Sequence, residues 1–193
     1  MSHTVCPYWA GFLLAGRLRR LVQNPERLLV PFVSSGMTVL EVGPGMGFFS
    51  IPMARLVGAG GRVVCVDVQE KMIRALERRA LRAGVADRIA ARVCQPASLG
   101  IEDFRGRIDL AFLFAMVHEV PDAGRLFGEV ADALRPEGRC LVAEPRLHVP
   151  SRSFEATVAL ALQYGLRLAE RPTLAGSHAA LMTLAAAALP PGA

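Results

Sequence analysis

The chain is short of several things. Its four cysteines, Cys6, Cys65, Cys94 and Cys140, are widely spaced and form no CxxC pair, so they read as buried reduced thiols. His3 and Cys6 lack the partner CxxC or HxxxH that a zinc site needs, and no metal is expected. Lysine is almost missing: Lys71 is the only one among 22 basic residues, and the arginines scatter from Arg17 to Arg171. The net charge of +5 and pI near 9.6 therefore describe an arginine habit of composition rather than a nucleic-acid stripe. Long apolar runs are missing too. Hydrophobic content is 52% and mean hydropathy +0.35, yet stretches such as LAFLFAMV (110–117) fall far short of the roughly 18 residues of a membrane span. The N-terminus shows neither the basic start nor the small-residue cleavage site of a secretory leader. The expectation is a soluble, cytoplasmic chain without a membrane span, long enough at 193 residues for one domain with a sizeable core.

What is present is a regular alternation. MTVLEV (37–42) and GRVVCVDV (61–68) are short, β-branched and glycine-bounded, as buried parallel strands are, and FFSIPMARLVGAG between them reads as a helix ending in glycines. An amphipathic helix follows from Gln69 to Ala83, with Arg74, Arg78 and Arg82 on its solvated face and Gly84 as its stop. Next come RIAARVCQ (88–95), RIDLAFLFAMV (107–117), a helix over 122–138 and GRCLVAEP (138–145). This alternation predicts an α/β, doubly wound parallel sheet. LRLAERPTL and HAALMTLAA, close together near the end, are expected to pair antiparallel.

Residues 1–36 precede the first strand. Leu14, Leu18, Leu21 and Val22 make one helical face, and Asn24 caps a second helix with Pro25 at its first position and Pro31 at its end. This segment reads either as a helix packed on the sheet or as a cover over a binding cleft, the latter supplied by the apolar cluster Cys6, Pro7, Tyr8 and Trp9. Residues 37–186 are expected to form the Rossmann-like core.

The chemistry concentrates in VLEVGPGMGFFS (39–50). A dinucleotide loop has G-x-G-x-x-G, its third glycine allowing close packing of helix on strand. Here the glycines are Gly43, Gly45 and Gly47, and Phe48 stands where that third glycine belongs. The alternate spacing lets the backbone lie flat against a ligand without a phosphate, and Pro44 stiffens the loop. Asp67 closes the next strand, 24 residues after Gly43, where a carboxylate can accept from two ribose hydroxyls.

These stretches resemble the class I S-adenosylmethionine-dependent methyltransferases, in the small-molecule, UbiE-like branch (methyltransferase domain type 11). VLEVGPGMG matches the first motif of that family and VVCVD the second. ARVCQPASL sits at the adenine motif, IDLAFLFAMVHEVPD is similar to the fourth-strand motif, and LRPEGRCLVAEP to the fifth. The resemblance implies a seven-stranded sheet of order 3-2-1-4-5-7-6, strand 7 antiparallel, with helices on both faces. It implies S-adenosylmethionine as cofactor: the Gly43 to Gly47 loop, with Pro44 and Gly45, against its methionine and ribose part, Glu41 near its amino group and Asp67, followed by Val68, at the ribose. Gln95 departs from the family, which usually has Asp there to accept from the adenine amino group; Pro96 and Ala97 follow it. Met72, Ala97 and Phe114 wall the adenine or methionine side, or are plain core.

Because methyl transfer from a sulfonium neutralises charge, the protein's task is in-line positioning and exclusion of water, with a base only where the acceptor must lose a proton. His118 after the fourth strand and His148 after the fifth are the candidate bases or substrate contacts, or else they fix their loops. Glu119, Glu144 and Arg146 share this rim, where loop salt bridges are their alternative role. The acceptor is narrowed by absences: there is no N/D-P-P-Y, no Pro-Cys pair, and with one lysine no Lys-Asp-Lys-Glu tetrad. A small molecule is thus favoured over nucleic acid, and a hydrophobic one such as a quinone precursor or lipid-like compound would suit the apolar N-terminal cover. Protein or RNA methylation, a cofactor-binding protein without methyl transfer, and a dinucleotide-dependent enzyme are the alternatives.

Overall fold

A computed structural model describes residues 24–184. Elements are numbered in chain order: α1 Pro25–Leu29, β1 Thr38–Val42, α2 Ser50–Val57, β2 Arg62–Asp67, α3 Glu70–Arg82, β3 Ile89–Val93, β4 Ile108–Phe114, α4 Ala123–Ala133, β5 Leu134–Pro145, α5 Ser151–Gln163, β6 Leu166–Glu170 and β7 Ser177–Leu184. The strands form one sheet of order β3-β2-β1-β4-β5-β7-β6. β1 to β5 run parallel, and β7 is antiparallel to both β5 and β6, as expected.

The central strands β1, β2 and β4 are largely apolar and buried because both faces are covered, whereas the edge strands β3 and β6 are half-buried and exposed. Leu40, Val42, Val64, Val66, Leu113 and Val142 point to one side, where they meet Phe127 and Val130 of α4 and Phe154 and Val158 of α5. Val39, Val63, Cys65, Phe112 and Leu141 point to the other, against Leu29 of α1, Met53 and Val57 of α2, and Leu76 and Ala80 of α3. Each such fully buried side chain contributes roughly 1.5–3 kcal/mol over its exposed state. On α3 the arginines Arg74, Arg78 and Arg82 are exposed opposite buried Met72, Ile73 and Leu76.

Two elements differ from expectation. The helix begun at Ala123 stops at Ala133, five residues before the expected end at Gly138, because Leu134 is extended and already pairs with Ile108 of β4. Pro136 disfavours helix at the residue before it, and Glu137, at φ 64°, marks the irregular segment before Arg139 regains register with Leu110. The helix Ser151–Gln163 was not anticipated, although Phe154, Val158 and Ala161 are its buried stripe. In α1, Asn24 accepts from Arg27 N–H at 3.1 Å with Pro25 first in the helix, and Leu29, Phe32 and Val33 join the sheet core. The Cys6 to Trp9 cluster and the Leu14, Leu18, Leu21 and Val22 face lie outside the described residues.

Candidate active site

The carboxyl ends of β1, β2, β3, β4 and β5 open into a cavity of about 790 Å³, the place where open α/β sheets bind ligands. Its floor is the loop after β1. Gly43, Gly45 and Gly47 all take positive φ, at 70°, 54° and 84°, a region costly for other residues. They do different work. A Cβ on Gly43 would come 3.2 Å from the Met116 Cβ, and one on Gly47 would lie 2.4 Å from Leu76 Cδ1 of α3, whereas one on Gly45 meets nothing within 4 Å. Gly45 therefore leaves an open cradle on the cavity wall. Gly47 does not line the cavity; it lets the loop settle on α3.

Asp67 ties this loop to the end of β2. Its Oδ2 accepts from Gly45 N–H at 3.3 Å and its Oδ1 from Gln69 N–H at 2.9 Å, leaving lone pairs on both oxygens for ligand hydroxyls. Burial pushes its pKa up, opposed by those two N–H groups. Glu41, 3% exposed, also borders the cavity. Its Oε2 accepts from Ser50 Oγ and lies 3.8 Å from Cys65 Sγ. Burial pushes the Glu41 carboxyl up to about 7.

Val68, Met72, Gln95, Pro96, Ala97 and Phe114 all border the same cavity. The turn Gln95–Leu99 is held by α4 in a way the sequence did not disclose. Glu129 accepts from Leu99 N–H at 2.7 Å and Ser98 Oγ at 3.3 Å, and Arg125 donates to the Ala97 carbonyl at 2.7 Å. On a helix, Arg125 and Glu129 are four residues apart and so share a face; that spacing was the available signal.

On the far wall, Ala115 takes φ 56°, an unfavourable conformation for alanine, where the chain leaves β4. Its N–H donates to the Ala143 carbonyl at 2.7 Å. The short 3₁₀ turn Val117–Glu119 that follows seats His118 over β5. Its Nδ1 is 2.7 Å from Glu144 Oε2, and its own N–H donates to Glu144 Oε1 at 3.1 Å. Nε2 stands 3.9 Å from Glu119 Oε1. Glu144 is thus no rim residue: it is 1% exposed, and burial raises its pKa against the pull of His118. His148 borders the cavity from an exposed loop. Arg146 does not border it, and its Nε donates to the Ser177 carbonyl at 3.1 Å. No group of metal-binding side chains exists among the described residues, nor is any helix there long and apolar enough to cross a membrane.

The methyltransferase-domain family matches residues 33–174. The chain belongs to that family. It is 30% identical over 146 residues to the ubiquinone/menaquinone biosynthesis C-methyltransferase UbiE of Cellvibrio japonicus, covering 74% of this chain and 57% of that protein. It is 32% identical over 113 residues to a ubiquinone biosynthesis O-methyltransferase of Paramagnetospirillum magneticum, covering 58% of this chain and 41% of that one. The chain thus spans only 57% and 41% of the length of these two relatives. Among solved structures, a SAM-dependent methyltransferase from Aquifex aeolicus superposes with a TM-score of 0.82 at 20% identity, covering 93% of this chain and 100% of the other. A geranyl diphosphate C-methyltransferase from Streptomyces coelicolor gives 0.67 at 17% identity, over 86% and 79%. These two show the shared fold.

S-adenosylmethionine, the cofactor of such methyltransferases, fits the residues present. Gly45 leaves open space on the cavity wall, Asp67 keeps acceptor capacity beside it, Glu41 is a buried carboxylate on the lining, and the Gln95–Leu99 turn and Met72 border the same cavity. Phosphate is not provided for: among the described residues lining the cavity Arg125 is the only arginine or lysine, and it stands 3.7 Å from Asp122.

Proposed function

We propose that this chain transfers a methyl group from S-adenosylmethionine to a small, apolar acceptor, with His118 receiving the acceptor's proton. The observation that carries this is His118, held from behind by Glu144, opening on the same cavity as the Gly43–Gly45 loop and Asp67. Bound there, S-adenosylmethionine supplies a methyl group on a positively charged sulfur. The chain's own residues position and shield. Asp67 and Gly45 hold the ribose, Glu41 the amino group, and Gln95, Pro96, Ala97 and Met72 the base. Glu144 accepts from His118 Nδ1–H, which leaves the Nε2 lone pair to take a proton from an acceptor hydroxyl or activated carbon. His148, on the exposed side, contributes a substrate contact. Residues 37–184 form the catalytic core, against which Leu29, Phe32 and Val33 pack. The cytoplasmic placement agrees with Cys65, Cys94 and Cys140 being free, buried thiols.

The acceptor is argued from the wall. Phe114, Met116, Val120 and Leu126 border the cavity beyond the glycine loop, while its charged lining is mainly Glu41, Asp67, Glu119, Asp122 and Glu129. That lining disfavours phosphates and therefore RNA, and suits an uncharged ring, in keeping with relatives named for quinone biosynthesis. Calorimetric titration with S-adenosylmethionine, S-adenosylhomocysteine and NAD tests the cofactor. A radiolabelled methyl-transfer screen over neutral phenols and quinols tests the acceptor. Binding of NAD alone overturns the proposal, and transfer only to RNA or protein overturns its acceptor half.

A further inference from the structure

Apart from the Ala97 N–H, the turn after β3 has spent its main-chain donors. Gln95 N–H donates to the Ser98 carbonyl and Ser98 N–H to the Gln95 carbonyl, each at 3.1 Å. Leu99 N–H is taken by Glu129 at 2.7 Å, and the Ala97 carbonyl by Arg125 at 2.7 Å. Pro96, between them, has no N–H to give. The Gln95 side-chain amide borders the cavity and has no hydrogen-bond partner among the described residues.

We infer that the Gln95 amide alone reads the edge of the cofactor's base, with Oε1 accepting from the exocyclic amino group and Nε2 donating to the adjacent ring nitrogen. The inference rests on the cofactor reading above. An adenine edge places a donor beside an acceptor, and a primary amide answers with an acceptor beside a donor. A carboxylate at this position has only acceptors and needs a main-chain N–H for the ring nitrogen, which Pro96 withholds. The amide has a further property. Turned by half a rotation it presents donor and acceptor in the opposite order at almost unchanged shape, and so matches a 6-oxopurine, whose ring nitrogen carries hydrogen. Gln95 therefore makes this pocket tolerant of the base: it binds adenosyl and inosyl forms of the cofactor comparably.

Titration calorimetry with S-adenosylhomocysteine and S-inosylhomocysteine, on the full chain and on Gln95→Ala and Gln95→Glu, tests this. The unmodified chain is expected to bind the two within about fivefold of each other, and Gln95→Ala to weaken both by about tenfold or more, the loss of two hydrogen bonds. Gln95→Glu keeps the size but loses the donor, and is expected to weaken S-adenosylhomocysteine by about fivefold or more. The turn's own bonds involve no Gln95 side-chain atom, so the thermal midpoint of each variant should match the parent. A preference for the adenosyl compound of about a hundredfold or more, or unchanged affinity in Gln95→Ala or Gln95→Glu, overturns the inference and assigns the reading to a fixed donor such as Ala97 N–H. Failure of the unmodified chain to bind S-adenosylhomocysteine at all removes the cofactor reading first, and the inference with it.

Discussion

Glu144 receives two hydrogen bonds from one residue: His118 reaches its Oε2 through the ring at 2.7 Å and its Oε1 through the main chain at 3.1 Å. The second bond fixes the loop and the first fixes the imidazole, so a single buried carboxylate sets both the place and the tautomer of the ring. His118→Ala is expected to lower kcat by about a hundredfold or more, the usual contribution of a positioned base, while S-adenosylhomocysteine binds within about threefold of the parent. Glu144→Gln should lower kcat by a smaller factor and change the pH profile of kcat, because an amide can no longer stabilise the imidazolium. If both variants keep full turnover on an identified acceptor, the pair is structural only.

Asp67 supports the loop from inside and faces the ligand from outside. Asp67→Ala is expected to cost cofactor affinity roughly 1–3 kcal/mol for lost hydrogen bonds to the ligand, and some stability as Gly45 and Gln69 lose their acceptor. Asp67→Asn should fall between, since one carboxamide oxygen still accepts. Calorimetry of both variants beside their melting temperatures separates the two losses, and an Asp67→Ala protein with parental affinity would place the ribose elsewhere.

Glu41 predicts a pH dependence of folding. Its carboxyl titrates near 7 in the folded chain and in the usual carboxylate range when unfolded, so between about pH 4.5 and 7 the folded state holds a proton that the unfolded state has released. Stability from this group is fully present below that window, falls as pH rises through it, and is level above, a change of roughly 3 kcal/mol. Glu41→Gln keeps an acceptor for Ser50 without the charge. Urea unfolding at pH 5, 6, 7 and 8 in the absence of cofactor should show the variant gaining on the parent as pH rises, and parallel curves would sink the assignment.

The sequence disclosed what is local and periodic. Alternation of β-branched runs with amphipathic helices announced the sheet, and glycine spacing with Asp67 announced the loop, because each depends on neighbours within a few residues. The strand order came with the family resemblance. The Glu144 role was hidden because it arises from β4 lying beside β5, which brings together residues 26 apart. The bonds of Arg125 and Glu129 were hidden for the same reason: their partners, Ala97 and Leu99, lie on another segment. Gly47 reads as a ligand glycine from spacing alone, and only the packing of α3 shows that it faces Leu76.

Gly45 and Gly47 should therefore fail differently when each is replaced by alanine. Both substitutions force a left-handed conformation on a residue with a Cβ, at about 1–2 kcal/mol. At Gly47 the new atom also falls 2.4 Å from Leu76 Cδ1. Leu76 is wholly buried and must shift to admit the new atom, so overpacking adds typically about 1–3 kcal/mol. Gly47→Ala should melt lowest yet bind cofactor normally once folded, since Gly47 lies off the cavity wall. At Gly45 the new methyl has space in the protein alone, and that space is the ligand's. Gly45→Ala should melt higher than Gly47→Ala but lose cofactor affinity by about tenfold or more. Melting temperature and calorimetry on the two proteins check this together, and the opposite pairing of losses would show that the cradle has been drawn on the wrong side of the loop.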